Sequence, residues 1–250
     1  VFFGVASYFI PLLFISFALS VVQGRETKKS KEIVQNLGVL TENIFTTGCP
    51  GIDLLMKTPL VGIEETVARL NAEVVKSTKK MINSNYILII KHPITTEYGL
   101  AGSQITEMLE ALKAYEHQLI FIWPNIDPGG EHINRVYRSH PILKQKKSWL
   151  FKHINTGLFA NVLKNASCIV GNSSSGIREA CYFGTPVVNV GSRQAGRLRG
   201  DNIIDTDYDR DQIREAIDVQ LAKKSYPIDR RYGNGSAGVE LANLCSNISL

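Results

Sequence analysis

From Lys28 onward, the chain alternates between short apolar runs rich in β-branched residues and longer stretches in which apolar residues recur with helical spacing. The runs predict strands at residues 43–48, 86–93, 119–125, 147–154, 167–172 and 185–191. The other stretches predict helices at residues 64–81, 103–116, 132–140, 157–166, 176–184, 208–223 and 236–246. Strands separated by helices pair in parallel, because each crossover returns the chain to the same end of the sheet. The sequence therefore predicts one doubly wound, Rossmann-like α/β domain over residues 25–250.

An apolar segment precedes this pattern. Residues 1–24 carry no charged side chain and are long enough to cross a bilayer, for which about 20 apolar residues suffice. The basic stretch at residues 25–31 would then face the cytoplasm, because positive charge is retained on that side. A membrane anchor, the hydrophobic part of a signal peptide, and a boundary left by a missing upstream domain all fit the segment. We expect a cytoplasmic protein, with tethering to a membrane through residues 1–24 as the alternative.

Charge and cysteine content narrow the range of partners. The net charge of +5 is spread along the chain, and basic residues are not interleaved with aromatic ones as in nucleic-acid-binding surfaces. A phosphorylated small molecule therefore fits the charge better than a nucleic acid does. The four cysteines, Cys49, Cys168, Cys181 and Cys245, are far apart and lack the spacing of metal ligands. We expect free thiols in a reducing compartment, and neither a metal nor a redox cofactor.

The most informative segment is residues 171–200, where a predicted strand runs through three serines into a short predicted helix. In such a turn, free backbone N–H groups at the start of the helix point beyond the carboxyl end of the strand, which favours phosphate binding. The hydroxyls of Ser173 and Ser174 are candidate donors to phosphate oxygens, and Gly176 would let a ligand approach the backbone. An ordinary helix with a serine cap is the alternative interpretation.

Charged residues follow the serines. Glu179 lies early in the predicted helix, where a carboxylate suits the helix dipole and is also placed to accept hydrogen bonds from ribose hydroxyls. Arg193, Arg197 and Arg199 follow the next predicted strand and are candidates to neutralise a diphosphate. A solvated basic loop is the alternative for the three arginines.

Several sequence elements together carry a family resemblance. They are FTTGCPGIDLL at 45–55, KHPITTE at 91–97, WPNIDPGG at 123–130, GNSSSGIRE at 171–179, FGTPVVNVGSRQAGR at 183–197 and RRYGNGSAG at 230–238. In composition and order, these elements resemble the C-terminal, nucleotide-binding half of hydrolysing UDP-N-acetylglucosamine 2-epimerases, over residues 28–246. The non-hydrolysing branch usually carries an Asp-Ser-Gly-Gly turn and a Thr-Glu-Arg-Pro-Glu element, which this sequence lacks.

The resemblance implies a fold of two Rossmann-like domains of the glycosyltransferase-B type, with a UDP-sugar in the cleft between them. It implies a UDP site made of His92 at the phosphate or sugar, Asn125 on the uracil side, Ser173 and Ser174 at the β-phosphate, Glu179 at the ribose, and Arg193 near the diphosphate. His92 is also the one catalytic candidate. An ordinary loop histidine and a turn-capping asparagine are the alternatives for His92 and Asn125.

The hydrolysing branch eliminates UDP to form a glycal and then adds water, releasing N-acetylmannosamine or a related sugar for sialic and nonulosonic acid synthesis. The resemblance places the catalytic Asp and Glu residues of the family in an N-terminal domain, so we expect this chain to be a truncated half-site that binds UDP. It also implies a homo-oligomer for full-length members. A glycosyltransferase of the same architecture and a non-catalytic UDP-binding remnant remain as alternatives, although the elements at 92–96 and 193–197 favour the epimerase.

Overall fold

The computed structural model describes residues 20–22, 34–73, 81–83 and 85–247. Contacts divide the chain into two units, one formed by residues 58–229 and the other by residues 1–57 together with 230–250. The sequence predicts a single domain over residues 25–250 and gives no sign of this division. The division arises because residues 49–53 contact residues 232–238, whereas the large sheet is built within residues 58–229.

Strands and helices are numbered along the chain. The strands are β1 (Ser20–Val22), β2 (Ile44–Thr46), β3 (Tyr86–Ile90), β4 (Gln118–Ile122), β5 (Ser148–Phe151), β6 (Cys168–Gly171), β7 (Val187–Val190) and β8 (Ile203–Thr206). The α-helices are α1 (Pro50–Lys57), α2 (Ile63–Glu73), α3 (Ala101–Leu112), α4 (Gly130–Ser139), α5 (Thr156–Asn165), α6 (Ser174–Ile177), α7 (Glu179–Phe183), α8 (Arg210–Lys223) and α9 (Ala237–Asn247). Short 3-10 helices include Thr95–Leu100 and Ser192–Gln194.

The larger unit is a six-stranded sheet in the order β5-β4-β3-β6-β7-β8, with every neighbouring pair parallel. Counted from β3 as the first strand, this is the 3-2-1-4-5-6 order of the doubly wound nucleotide-binding fold. The predicted fold class is confirmed. Strands β4 and β5 are added on one side of β3, whereas β6, β7 and β8 are added on the other side. The strand order therefore reverses between β3 and β6, where Ile90 pairs with Gly171. This switch point is where ligands bind in open α/β sheets.

Both faces of the sheet are covered, which explains why β3 is apolar throughout. Ile87 and Ile89 pack in one core cluster with residues of α3 and α8, and Leu88 and Ile90 pack in a second cluster with residues of α2 and α5. Successive side chains of a strand point to opposite faces, so a strand buried on both faces needs apolar residues at every position. All five residues of β3 are buried accordingly.

Several predicted elements differ from the structure. The helix predicted at 176–184 consists of two short helices, α6 and α7, which are separated at Arg178. The helix predicted at 64–81 is described over Ile63–Glu73, and residues 74–80 lie outside the described residues. Strand β8 has no counterpart among the predicted strands, and it forms one edge of the sheet.

The smaller unit contains the parallel pair β1 and β2, in which Ser20 pairs with Ile44, together with helices α1 and α9. The carboxylate of Asp53 in α1 accepts a hydrogen bond of 2.7 Å from the backbone N–H of Gly238 in the first turn of α9. A carboxylate at this position satisfies a free N–H group and suits the positive end of the helix. Asp53 thereby connects the two helices of this unit.

The apolar segment predicted at residues 1–24 falls mostly outside the described residues. Its residues 20–22 are described, and they form β1. Within the described ranges, the structure contains no helix that is both long enough and apolar enough to span a bilayer. The anchor suggested at residues 1–24 therefore stays a prediction.

Candidate functional site

The carboxyl ends of β3 and β6 lie side by side at the switch point, and each is followed by polar residues. Lys91 and His92 follow β3, and residues 172–175 follow β6. The register brings these two segments together, because Ile90 pairs with Gly171 and the backbone N–H of Asn172 donates to the Ile90 carbonyl at 3.0 Å. Residues that are separated by about one third of the sequence thus meet at the carboxyl ends of the two central strands.

Asn172 connects the two segments. Its Oδ1 accepts a hydrogen bond of 2.7 Å from the His92 backbone N–H, and its Nδ2 donates to the His92 carbonyl at 2.9 Å. Its own carbonyl accepts hydrogen bonds from Arg193 Nη1 at 3.2 Å and Gln194 Nε2 at 2.8 Å. Asn172 is fully buried. The sequence does not single out Asn172 or Gln194, although both lie inside the elements that carry the resemblance.

We expect Asn172→Ala to lower the free energy of unfolding by about 2–4 kcal/mol, because two buried backbone groups of His92 would lose their partners. Urea denaturation followed by circular dichroism would measure the change. Asn83→Ala is the control, since Asn83 is exposed and, within the described ranges, its side chain accepts only a local hydrogen bond from Asn85. Equal stabilities of the two variants would contradict the role of Asn172 in connecting the segments that follow β3 and β6.

His92 is buried, with 3% of its surface exposed. Burial lowers its pKa from 6.5 to about 3, and the positive charges of Arg193 and Lys91 contribute to that shift. The ring Nδ1 accepts a hydrogen bond of 3.2 Å from the Asn125 backbone N–H. A neutral imidazole that accepts at Nδ1 carries its proton at Nε2, so His92 is a neutral ring with a donor at Nε2. The structure therefore brings His92 and Asn125 together through the Asn125 backbone.

Ser173 caps helix α6, as expected from the alternative interpretation of residues 173–175 as an ordinary serine-capped helix start. Ser173 precedes α6, and its Oγ accepts a hydrogen bond of 3.2 Å from the Ser175 backbone N–H. The Ser173 and Ser175 hydroxyls are 3.2 Å apart, and Ser174 Oγ lies 3.4 Å from Arg178 Nη2. The turn is thus ordered by its own side chains. Capping and ligand binding are compatible, because a hydroxyl oxygen that accepts one hydrogen bond still carries its own proton.

Glu179 begins α7, immediately after Arg178. Its Oε1 lies 3.4 Å from Arg178 Nη2, and the Glu179 side chain is only 15% exposed. Its Oε2 is buried and accepts no hydrogen bond from any residue that the structure describes. A buried carboxylate oxygen without a donor is costly, so Glu179 has capacity for a hydroxyl or amide from a ligand.

Arg193 lies in the 3-10 turn after β7, and its guanidinium is held at the carbonyl of Asn172. Burial lowers its pKa, while the carboxylate of Asp127 raises it. Arg199 does not join this group, because it forms an ion pair with Asp205 of β8 at 2.8 Å. The diphosphate role suggested for Arg199 stays a prediction. His92 and Arg193, by contrast, both contact Asn172, the residue before Ser173.

The cysteines and acidic residues do not form a metal centre in the described part of the chain. Within those ranges, no group of three or more His, Cys, Asp or Glu residues is placed to hold a metal ion. Cys49, Cys168 and Cys181 are buried and Cys245 is exposed, and no disulfide bond joins any of the four to a residue that the structure describes.

Comparison with known proteins identifies related chains. Residues 17–245 match the family model described as UDP-N-acetylglucosamine 2-epimerase. The chain is 32% identical to the UDP-N,N'-diacetylbacillosamine 2-epimerase (hydrolyzing) of Legionella pneumophila, over 90% of this chain and 57% of that protein. It is 32% identical to the UDP-N-acetylglucosamine 2-epimerase of Neisseria meningitidis, over 80% of this chain and 50% of that protein. The chain thus spans about half the length of the curated relatives it matches.

Solved structures show the same fold. The Methanocaldococcus jannaschii UDP-GlcNAc 2-epimerase in complex with UDP-GlcNAc and UDP has a TM-score of 0.66 at 16% identity, covering 87% of this chain and 58% of that chain. The Neisseria meningitidis enzyme bound to UDP-GlcNAc has a TM-score of 0.60 at 16% identity, covering 87% of this chain and 59% of that chain. The six-stranded parallel sheet thus matches one Rossmann-like half of a glycosyltransferase-B-type fold.

Proposed function

The chain belongs to the UDP-N-acetylglucosamine 2-epimerase family, and from this premise we propose that it forms the nucleotide-binding half-site of a hydrolysing 2-epimerase. The proposed ligand is the UDP moiety of UDP-N-acetylglucosamine or a close relative. The hydrolysing branch is supported by the name of the Legionella pneumophila relative, which is described as hydrolyzing. The proposed overall reaction converts the UDP-sugar and water into N-acetylmannosamine, or a related sugar, and UDP.

The observation that carries this proposal is the unsatisfied carboxylate of Glu179 beside the switch point. Its buried Oε2 has no donor among the described residues, and ribose offers two adjacent hydroxyls that would satisfy it. Arg193 supplies positive charge for the diphosphate, and the Ser173 and Ser174 hydroxyls supply donors. His92 supplies the Nε2 proton, and Asn125 is assigned to the uracil side by resemblance.

The chemistry requires stabilisation of the diphosphate as it leaves. Negative charge develops on the departing UDP, and preorganised donors that meet it lower the barrier. His92 suits this task as a hydrogen-bond donor. With a pKa of about 3, its ring is neutral at neutral pH, keeps its Nε2 proton and is a weak base. The groups that move the C2 proton are therefore assigned to the Asp and Glu residues that the family places in its other domain.

Calorimetric titration of the chain with UDP tests the proposal. We expect UDP to bind and Glu179→Ala to weaken binding by at least about tenfold, because a hydrogen bond to a charged group contributes roughly 1.5–3 kcal/mol. Ser173→Ala should weaken binding less, since its hydroxyl is one of several donors. Glu215→Ala is the matched control, because Glu215 is exposed on α8 and takes part in none of the proposed UDP contacts.

The outcomes separate the alternatives. Absence of UDP binding by the folded chain would overturn the proposed function. Binding that Glu179→Ala leaves unchanged would overturn the ribose assignment. A product assay for N-acetylmannosamine in the same samples distinguishes a half-site, which binds without turnover, from a chain that supplies all of its own proton-transfer groups.

A further inference from the structure

A buried lysine lies next to the proposed site and makes none of the proposed UDP contacts. Lys91 is the first residue after β3, and it is fully buried. Its Nζ donates hydrogen bonds to Gln104 Oε1 at 3.0 Å and to the Tyr208 hydroxyl at 2.6 Å. Both acceptors are uncharged groups. Among the described residues, no carboxylate lies within ion-pair distance of the Lys91 ammonium.

Lys91 belongs to a connected group of polar residues that we call the Lys91 cluster. Its members are Lys91, Gln104, Glu97, Ser192 and Tyr208. Gln104 Nε2 donates to Glu97 Oε2 at 2.6 Å, and Ser192 Oγ donates to Glu97 Oε1 at 2.7 Å. Tyr208 packs so tightly against the residue before Ser192 that a Cβ on Gly191 would lie 2.3 Å from its ring. The Lys91 cluster therefore joins the end of β3 to the turn that begins at Ser192.

That turn carries the proposed diphosphate contacts. Arg193 and Gln194 follow Ser192 directly, and both donate to the carbonyl of Asn172. Lys91 thus supports the turn through Tyr208 and Glu97 while His92, its neighbour in sequence, lies against Asn172. A buried ammonium without a paired carboxylate is costly, and an anion bound at this turn would provide the missing negative charge.

We propose that Lys91 is a positioning residue whose charge couples UDP binding to the uptake of one proton from solvent, so that UDP affinity falls as the pH rises above neutrality. This inference rests on the proposed function, since it requires the diphosphate of UDP to bind at the 192–194 turn. The proton balance is simple. A neutral Lys91 amine in the free protein and a solvent proton give the ammonium in the complex.

The charged groups around Lys91 support this balance. Burial lowers the pKa of Lys91 from 10.5 to about 7, the Glu97 carboxylate raises it, and Arg193 lowers it. Burial raises the pKa of Tyr208, so its hydroxyl stays protonated. His92, with its pKa of about 3, stays neutral above pH 5 or so. Lys91 is therefore positioned to change its charge in the neutral range, where the phosphates of UDP are already ionised, given a second phosphate pKa near 6.

The sign of the linkage follows from these charges. The free protein has a pKa of about 7 at Lys91, and the diphosphate raises it in the complex. Between the two values the complex holds a proton that the free protein lacks. Affinity is therefore highest below the pKa of the free protein and falls, by up to about tenfold per pH unit, until the pKa of the complex is passed.

Two calorimetric measurements test the inference on the full chain with UDP. Between about pH 7 and about pH 9, wild-type affinity should fall by about fivefold or more, whereas Lys91→Met affinity should not change. At about pH 8, titrations in two buffers of different ionisation enthalpy should show uptake of roughly half a proton or more by the wild type and none by Lys91→Met. Lys164→Met is the control, since Lys164 is exposed in the last turn of α5 and should behave as wild type.

The results distinguish the inference from the function on which it rests. Absence of UDP binding by the wild type would overturn the proposed function itself. UDP binding without proton uptake by the wild type would overturn the inference alone, and this measurement stands even if Lys91→Met fails to fold. Proton uptake that persists in a folded Lys91→Met variant would also overturn it, because another group would then be titrating.

Discussion

Gly171→Ala is expected to prevent formation of the central sheet. Gly171 ends β6 with a φ of 147°, and a Cβ at this position would lie 2.1 Å from the Ile90 carbonyl oxygen and 2.7 Å from its carbon. Neither atom can move away, because Ile90 is paired with Gly171 in the sheet. We expect a loss of more than about 4 kcal/mol, which is a large part of the total stability of many domains. Circular dichroism and urea denaturation should show no cooperative transition.

Gly157→Ala is the control for that result. Gly157 is the second residue of α5, and an added Cβ would lie no closer than 3.8 Å to Asn155 Oδ1. Alanine is favoured over glycine in helices by roughly 1 kcal/mol, so this variant should be as stable as the wild type or slightly more stable. A cooperative transition of wild-type stability in Gly171→Ala would contradict the close approach of β3 and β6 at this position.

His92→Gln is expected to make the protein less sensitive to acid. The pKa of His92 is about 3 in the folded protein and 6.5 in the unfolded chain, so below pH 6.5 the unfolded chain binds a proton that the folded protein excludes. The free energy of unfolding therefore falls as the pH drops from 6.5 toward 3, by up to about 1.4 kcal/mol per unit and on the order of 5 kcal/mol in total. Glutamine removes this proton uptake and keeps an acceptor for the Asn125 N–H.

Urea denaturation at a series of pH values from about 4.5 to about 7 measures this effect, because the slope of stability against pH counts the protons that unfolding takes up. The wild type should show the steeper slope, and His92→Gln the shallower one. His153→Gln serves for comparison, since His153 is an exposed histidine outside the candidate site. Identical slopes for the wild type and His92→Gln would show that His92 is not held neutral by burial.

The sequence predicts the centre of the fold better than its edge. Strand β3 is predictable because five consecutive apolar residues are what a doubly covered central strand requires. Strand β8 escapes prediction because it offers only Ile203 and Ile204 between Asn202 and Asp205, and its residues are only partly buried or exposed. An edge strand depends on pairing with its neighbour, so its own pattern is weak. The break at Arg178 also escapes prediction, since no glycine or proline lies at that residue.

Some residues of the candidate site could be predicted from the sequence, and others could not. The predicted positions after β3, β6 and β7 follow from the rule that carboxyl ends of parallel strands share an edge, and His92, Ser173 and Arg193 lie there. The sequence does not single out Asn172 and Lys91, because their roles depend on partners 80 and 117 residues away along the chain. Lys91 in particular is indistinguishable by pattern from an exposed lysine that ends a strand. Its burial depends on where Tyr208 and Gln104 lie.

The strand order has a mechanical consequence. Strands β3 to β5 form one half of the sheet and β6 to β8 form the other, and the two halves are joined by the pairing of β3 with β6. If the pairing of β3 with β6 were broken, each half would expose an unpaired strand edge. A nucleotide at the switch point would contact residues from both halves, so its binding energy would oppose their separation. The bound ligand would then stabilise the pairing of β3 with β6. The backbone amides of β3 and β6 would exchange with solvent more slowly as nucleotide concentration rises.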